Sequence, residues 1–340
     1  MAFIFADGFD HYTAVGATGS AVSKYLQEAG YTVQNAAAGT LAVRDGRRAG
    51  AKAIEFNIAS GSSVNARVSY TINSAENLQV FGFAFKATGS RLRICRIENV
   101  VDLEWDPATG KLQIDSTLGA SILILNAWYY FEIEIDHVAN EVRVWANNEL
   151  QLTVTPQSAL PSVFTIVWGY QGTAPTAAVQ LVDDFYALDS AAGLRVARLQ
   201  PIEVTTRAPT TDITAQWDVV DADPLTPHYQ IVSQLSPGDS GKPYLQSNTA
   251  GAEDIYRSSA VLPTANTVFA VSVLAYARKG DLDERSLGLY IDVDGGSDQE
   301  VQVPLTESYK YYQANFEAPP GGGNWTQNNV ESLNFGIITR

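Results

Sequence analysis

The chain has 340 residues, 46% of them hydrophobic and 17% charged, with Gly (26), Tyr (16) and Phe (13) abundant. That length suits two domains of about 150 to 190 residues, each with its own core, and the composition excludes a disordered chain. The formal charge of −15 is shared, with 12 basic against 19 acidic residues in 1–190 and 10 against 18 in 191–340. Neither half has the basic footprint that a nucleic-acid partner requires.

Cys95 stands alone, so no intramolecular disulfide and no cysteine-based metal site is expected. The opening residues 1–10 carry no basic region and no apolar run of signal-peptide length, and no stretch approaches the ~20 apolar residues of a membrane helix. The expectation is a chain made and kept soluble in a cytoplasm, with no membrane insertion. Arg44, Arg47, Arg48 and Lys52, with Arg91, Arg93 and Arg96, form the one basic concentration and read as a solvated strand face or turn.

The one helical pattern spans 19–28. Short β-prone segments follow at 53–58, 64–72, 78–86, 91–97, 101–105, 112–115, 121–125, 129–136, 141–145, 150–154, 163–169 and 179–188, separated by turn signals such as Asp106-Pro107 and Asn147-Asn148. Even spacing without alternating long helices predicts an all-β sandwich or jelly roll. In 129–136, Phe131, Ile133 and Ile135 alternate with Glu132, Glu134 and Asp136, the period of a half-buried strand.

The pattern lapses over 191–215, read as a linker between a first domain at 1–190 and a second at 216–340. Strand signals resume at 229–232, 268–278, 287–293, 300–303, 310–316 and 333–339, a second and smaller antiparallel β-sandwich. The last run is weakly charged and would be an association hazard as an exposed edge, which predicts burial against a neighbouring copy or inside its own sheet.

Three features together resemble bacteriophage structural proteins that begin with a concanavalin A-like, laminin-G-like jelly roll. They are the opening Asp7-Gly8-Phe9-Asp10-His11-Tyr12, the strand pair Trp128 to Ile135 and Val142 to Asn147, and the closing run Val182-Asp183-Asp184-Phe185-Tyr186. The link Arg195-Val196-Ala197-Arg198-Leu199-Gln200-Pro201, the segment Asp239 to Asp254, Ala277-Arg278-Lys279 and Trp325-Thr326 extend the similarity over nearly the whole chain. The resemblance implies a non-enzymatic virion protein on the particle exterior, assembled in the host cytoplasm among other virion proteins and copies of itself. A tail, baseplate or fibre position with attachment to host-surface glycan is the first expectation. A capsid decoration or head-fibre protein and a glycan hydrolase are the alternatives.

Glu132, Glu134 and Asp136 are the sharpest enzymatic candidates, because concanavalin A-like glucanases carry acids on one strand. A retaining glycosidase needs carboxyls ~5 to 5.5 Å apart, whereas i to i+4 on a strand spans ~13 Å. The expectation is a solvated acidic strand face. No motif demands a cofactor; calcium is the ion that loop carboxylates would suit, with Asp183 and Asp184 as first candidates, then Asp7 with Asp10, and Asp292, Asp294 and Asp298. His11, His137 and His228 form no ligand spacing, and Gly238-Asp239-Ser240-Gly241 reads as a turn rather than a protease loop. Trp168 and Tyr170 are the first candidates for stacking on a glycan, with Tyr309, Tyr311 and Tyr312 as a second group.

Overall fold

The computed structural model describes residues 2–12, 16–37, 39–62, 65–89, 92–156, 158–170, 176–191, 197–234, 242–259, 267–293 and 298–340. The fold is all-β, with two compact units, Met1–Thr205 and Thr206–Arg340. The division falls within the stretch expected as a linker; of its described residues, 197–205 lie on the first unit, while Thr211–Ala215 is a strand of the second.

The first unit runs in chain order through β1 (Ala2–Asp7), α1 (Ser20–Glu28), β2 (Thr32–Gln34), β3 (Leu41–Asp45), β4 (Lys52–Ile58), β5 (Arg67–Asn73), β6 (Leu78–Thr88) and β7 (Leu92–Ile97). It continues through β8 (Val101–Asp106), β9 (Lys111–Ile114), β10 (Thr117–Ile122), β11 (Tyr129–Asp136), β12 (Glu141–Ala146), β13 (Glu149–Val154), β14 (Val163–Gly169) and β15 (Ala178–Asp189). One sheet has the order β13-β12-β11-β6-β15-β4-β3, with β1 also on β15; the other has the order β10-β9-β8-β7-β14-β5-β2. The two form a jelly-roll sandwich.

Alternation along β11 builds its core face, since Phe131, Ile133 and Ile135 are all buried. The sheets meet at Trp168 of β14, whose ring lies edge-on to Phe83 of β6 at 5.6 Å and to Phe185 of β15 at 4.9 Å. Helix α1 buries Val22, Tyr25 and Leu26, a spacing of three and four that puts them on one face.

The second unit contains β16 (Thr211–Ala215), β17 (Asp218–Val220), α2 (His228–Val232), β18 (Tyr244–Gln246), β19 (Glu253–Arg257), β20 (Val271–Ala277), β21 (Ser286–Val293), β22 (Asp298–Pro304), β23 (Lys310–Phe316), α3 (Gln327–Glu331) and β24 (Leu333–Thr339). A five-stranded sheet of order β16-β19-β24-β21-β22 packs against the β20-β23 ladder. Their shared core includes Val273, Leu287, Leu289, Ile291, Phe316 and Trp325.

One expectation is corrected here, and for the run 333–339 the alternative inside its own sheet is the one found. Residues 229–232 form helix α2 and not a strand, because the Asp212 carboxylate accepts from the His228 and Tyr229 amides at 2.9 and 2.7 Å, satisfying the first turn. The run 333–339 is no edge: β24 lies between β19 and β21, so its own sheet takes up the backbone groups on both sides. The edges of that sheet are β16 and β22, and β22 carries Asp298 and Glu300 and ends in Pro304, features that resist further pairing.

Candidate functional site

The solvent-side row of β11, Tyr130, Glu132 and Glu134, lies opposite its core row. Glu132 pairs with Gly82 of β6, and Gly82 pairs on its other side with Tyr186 of β15. A Cβ on Gly82 would come within 2.0 Å of the Tyr186 ring, so the missing side chain is what lets that ring lie across β6. The Tyr186 hydroxyl then donates to Glu132 Oε1 at 2.6 Å.

Residues 198–205 close over this row. The Gln200 amide donates to Glu132 Oε1 at 2.9 Å, and Arg198 forms an ion pair with Oε2 while its guanidinium stands 4.0 Å from the Trp145 ring centroid. Glu132 is 1% exposed. It is therefore not part of a solvated acidic face; the face is roofed by the segment that composition marks as a linker. Burial and the neighbouring Glu132 charge drive the Tyr186 phenol well above its ordinary value. Glu134 is instead ion-paired with Arg143 at 2.6 Å, which also meets Glu141. Of the three acids of β11, Glu132 meets Arg198, whereas Glu134 and Asp136 share Arg143.

Further along the same roof, a bulge in β15 between Asp183 and Tyr186 turns two consecutive carboxylates inward, with Asp184 at φ 49°. Asp184 meets Arg47 at 2.7 Å and Arg48 at 3.1 Å, and accepts from the Val204 amide at 2.7 Å. Asp183 accepts from the amides of Arg47 and Asp184 at 2.8 and 2.7 Å. Arg48 reaches Val204 O at 3.2 Å and Thr205 Oγ1 at 2.8 Å, and Arg47 donates to Ile202 O. Burial raises both aspartate pKa values, and the Asp184 charge raises that of Asp183 further. This corrects the calcium assignment: guanidinium and amide groups occupy the carboxylates, which are fully buried. Arg47 and Arg48 do lie in the turn between β3 and β4, but their guanidinium groups are turned to Asp184 rather than solvated.

Gly8 belongs to this arrangement, since a Cβ there would lie 2.1 Å from Val204 O. Beside it, Asp7 is buried and accepts from the Tyr12 hydroxyl, from the Tyr31 hydroxyl at 2.9 Å and from the Phe9 amide at 2.7 Å. Burial pushes the Asp7 carboxyl up to about 7 and the neighbouring His11 down to about 3. Asp10 accepts from the Lys52 amide at 2.8 Å. Among the described residues no group of three or more His, Cys, Asp or Glu side chains could hold a metal ion.

The aromatic assignments divide. Trp168 is 1% exposed at the centre of the sandwich, so it is a core residue and not a stacking platform. Tyr170 is half-buried, with the Arg93 guanidinium 5.3 Å from its ring centroid. In the second unit Tyr312 packs on the core, whereas Tyr309 and Tyr311 gather around Tyr276. Asp292 accepts from Asn334 Nδ2 at 3.1 Å, Asp298 is exposed, and Asp294 and the run 238–241 with Ser240 lie outside the described residues.

A buried polar knot that the sequence reading missed is centred on Asp254. It accepts from the Gln216 and Trp217 amides at 2.7 and 3.0 Å, from Tyr256 at 2.9 Å, and bonds His228 Nδ1 at 2.6 Å. Its signal in the sequence was the inward Asp between Glu253 and Ile255, an acid on the core side of a strand.

No family model and no curated protein matches the chain. Among solved structures, the chain is similar to a sialidase (11% identity, 47% of this chain and 17% of that one, TM-score 0.38). It is also similar to the polysaccharide lyase family 7 alginate lyase AlgAT5 (12%, 49% and 98%, TM-score 0.38) and to the binding domain of botulinum neurotoxin DC (9%, 91% and 88%, TM-score 0.32). The chain thus spans under a fifth of the length of that sialidase.

Proposed function

We propose that the protein is a non-catalytic structural component of a bacteriophage particle, carried on its exterior in the tail, baseplate or fibre, with a role in attachment to host-surface glycan. The observation that carries the reading is the rim of the first unit. Strand β10 ends its sheet, and here Leu118, Ile122 and Ile124 are 43%, 69% and 71% exposed. They fall within residues 116–131, which contain no charged side chain in a protein of charge −15. An uncharged apolar edge is a liability for a freely diffusing monomer. It suits a subunit that meets a second copy of itself, because copies of so acidic a chain approach at least cost where no carboxylates face each other.

The resemblance of the opening, closing and linking segments to phage structural proteins supports the particle setting. The roof over Glu132 supports a non-catalytic role, because Arg198, Gln200 and Tyr186 take the positions around its carboxylate that a substrate would need. The test is to purify particles, count copies by quantitative mass spectrometry and label them with antibody. The expected result is a fixed copy number with label on the tail or fibre, lost when Ile122 and Ile124 are both changed to Asp without a fall in Tm. Absence from purified particles overturns the reading, and label on the head moves it to a decoration role.

A further inference from the structure

Tyr276 of β20 and Tyr311 of β23 are cross-strand partners, with ring centroids 4.8 Å apart, and Tyr309 stacks on Tyr276 at 5.0 Å with planes 9° apart. The Arg278 guanidinium stands 4.9 Å from the Tyr309 centroid. By strand alternation these residues share one face of the ladder with Gln313, while Val273, Ala314 and Phe316 face the core. Tyr309 is 36% exposed and Lys310 beside it is exposed. The rings are therefore held by one another on an outer face, and not by the core packing that holds Tyr312.

The charge around them departs from the rest of the unit. Residues 206–340 carry 17 acidic and 8 basic side chains, yet neither ladder strand contains an acid. Arg278 shares the face of the rings by the same alternation, while Lys279 donates to the carbonyls of Leu282 and Asp283. Glu307 is the nearest acid to Tyr309 along the chain. Aromatic rings present flat amphipathic surface to the C–H face of a sugar, a side-chain amide pairs with hydroxyls, and a guanidinium pairs with a carboxylate. We infer that this tyrosine face of the second unit binds a carboxylated polysaccharide, with Tyr309 and Tyr276 stacking on sugar rings and Arg278 pairing with the acid group. The inference rests on the attachment reading above and names its ligand class and location.

The test is isothermal titration of the full chain with hexagalacturonate, and with maltohexaose as a neutral hexasaccharide. The expected result is binding of the acidic oligomer that weakens about tenfold in Tyr309→Ala and in Arg278→Gln, persists in Tyr309→Phe, and declines as salt is raised. Because Tyr309 precedes its strand and is exposed, Tyr309→Ala keeps the wild-type Tm, which the same samples report. No binding of the acidic oligomer, equal binding by maltohexaose, or unchanged binding in Tyr309→Ala overturns the inference. Particle incorporation of the wild type is measured in parallel: normal incorporation with no binding of the acidic oligomer sinks this inference alone, whereas binding of the oligomer by a protein absent from particles sinks the virion reading.

Discussion

Tyr186 donates its hydroxyl to Glu132 at 2.6 Å across an intervening strand, over the one residue, Gly82, that pairs with both. Space rather than backbone conformation demands that glycine, since the ring carbon nearest its hypothetical Cβ stands 2.0 Å away. Gly82→Ala therefore pushes the ring off the strand and breaks the Tyr186 hydroxyl's bond to Glu132. The cost is about 2 to 3 kcal/mol, read as a fall in Tm of roughly 5 to 10 °C. A wild-type melting curve would refute the arrangement.

Val204 donates its amide to Asp184 at 2.7 Å, and proline has no such proton. Val204→Pro should release residues 198–205, with trypsin then cutting after Arg198, a bond that the ion pair with Glu132 shields in the wild type. Mass spectrometry of a timed digest distinguishes the two. Equal cleavage rates at Arg198 would show that the segment is not held.

Asp7 and His11 act on stability in opposite pH windows. The folded Asp7 holds its proton up to about 7, against an ordinary value of 3.8, so its contribution is present at low pH and lost as pH rises through 7. His11, lowered by burial from 6.5 to about 3, contributes stability present above 6.5 and lost as pH falls toward 3. Between 3.8 and 6.5 the two oppose each other, so single variants are needed to see them. Asp7→Asn should gain on the wild type by about 3 °C between pH 6 and 8, and His11→Gln should gain between pH 6.5 and 4. Parallel Tm–pH curves for wild type and both variants would disprove the shifts.

Asp254→Ala removes the acceptor for four donors in the second unit and leaves the Gln216 and Trp217 amides without it. The expected loss is at least about 3 kcal/mol in that unit, seen by calorimetry. A shift under a degree would mean that the knot carries little of its stability.

Much of this architecture is legible in the sequence wherever one face of a strand is wet. Residues 129–136, 163–169, 310–316 and 333–339 match β11, β14, β23 and β24 in both bounds. Strands β1 and β3, which lack a clean period of two, and β2 and β16 to β19 were not anticipated, and α2 owes its form to Asp212, sixteen residues before His228 in the chain. The site was harder to read for a single reason. Segment 198–205 looks unanchored because Arg198, Gln200 and Val204 attach through guanidinium and amide groups to acids 20 to 70 residues away, and no local hydrophobic pattern records such bonds. Hence Glu132 looked solvated, and Asp183 and Asp184 looked available for an ion.

The pairing of β1 with β15 joins residues 2–7 to residues 185–189. The order in which the first unit can assemble follows from this. Its opening strand has no partner until nearly the whole unit has been synthesised, and Asp184 meets Val204 only afterwards. Such long loops must close before their contacts repay the entropy, which slows folding. While they wait, the apolar run 116–131 stands beside unpaired strands, and chaperones should hold this protein longest at that stage of its synthesis.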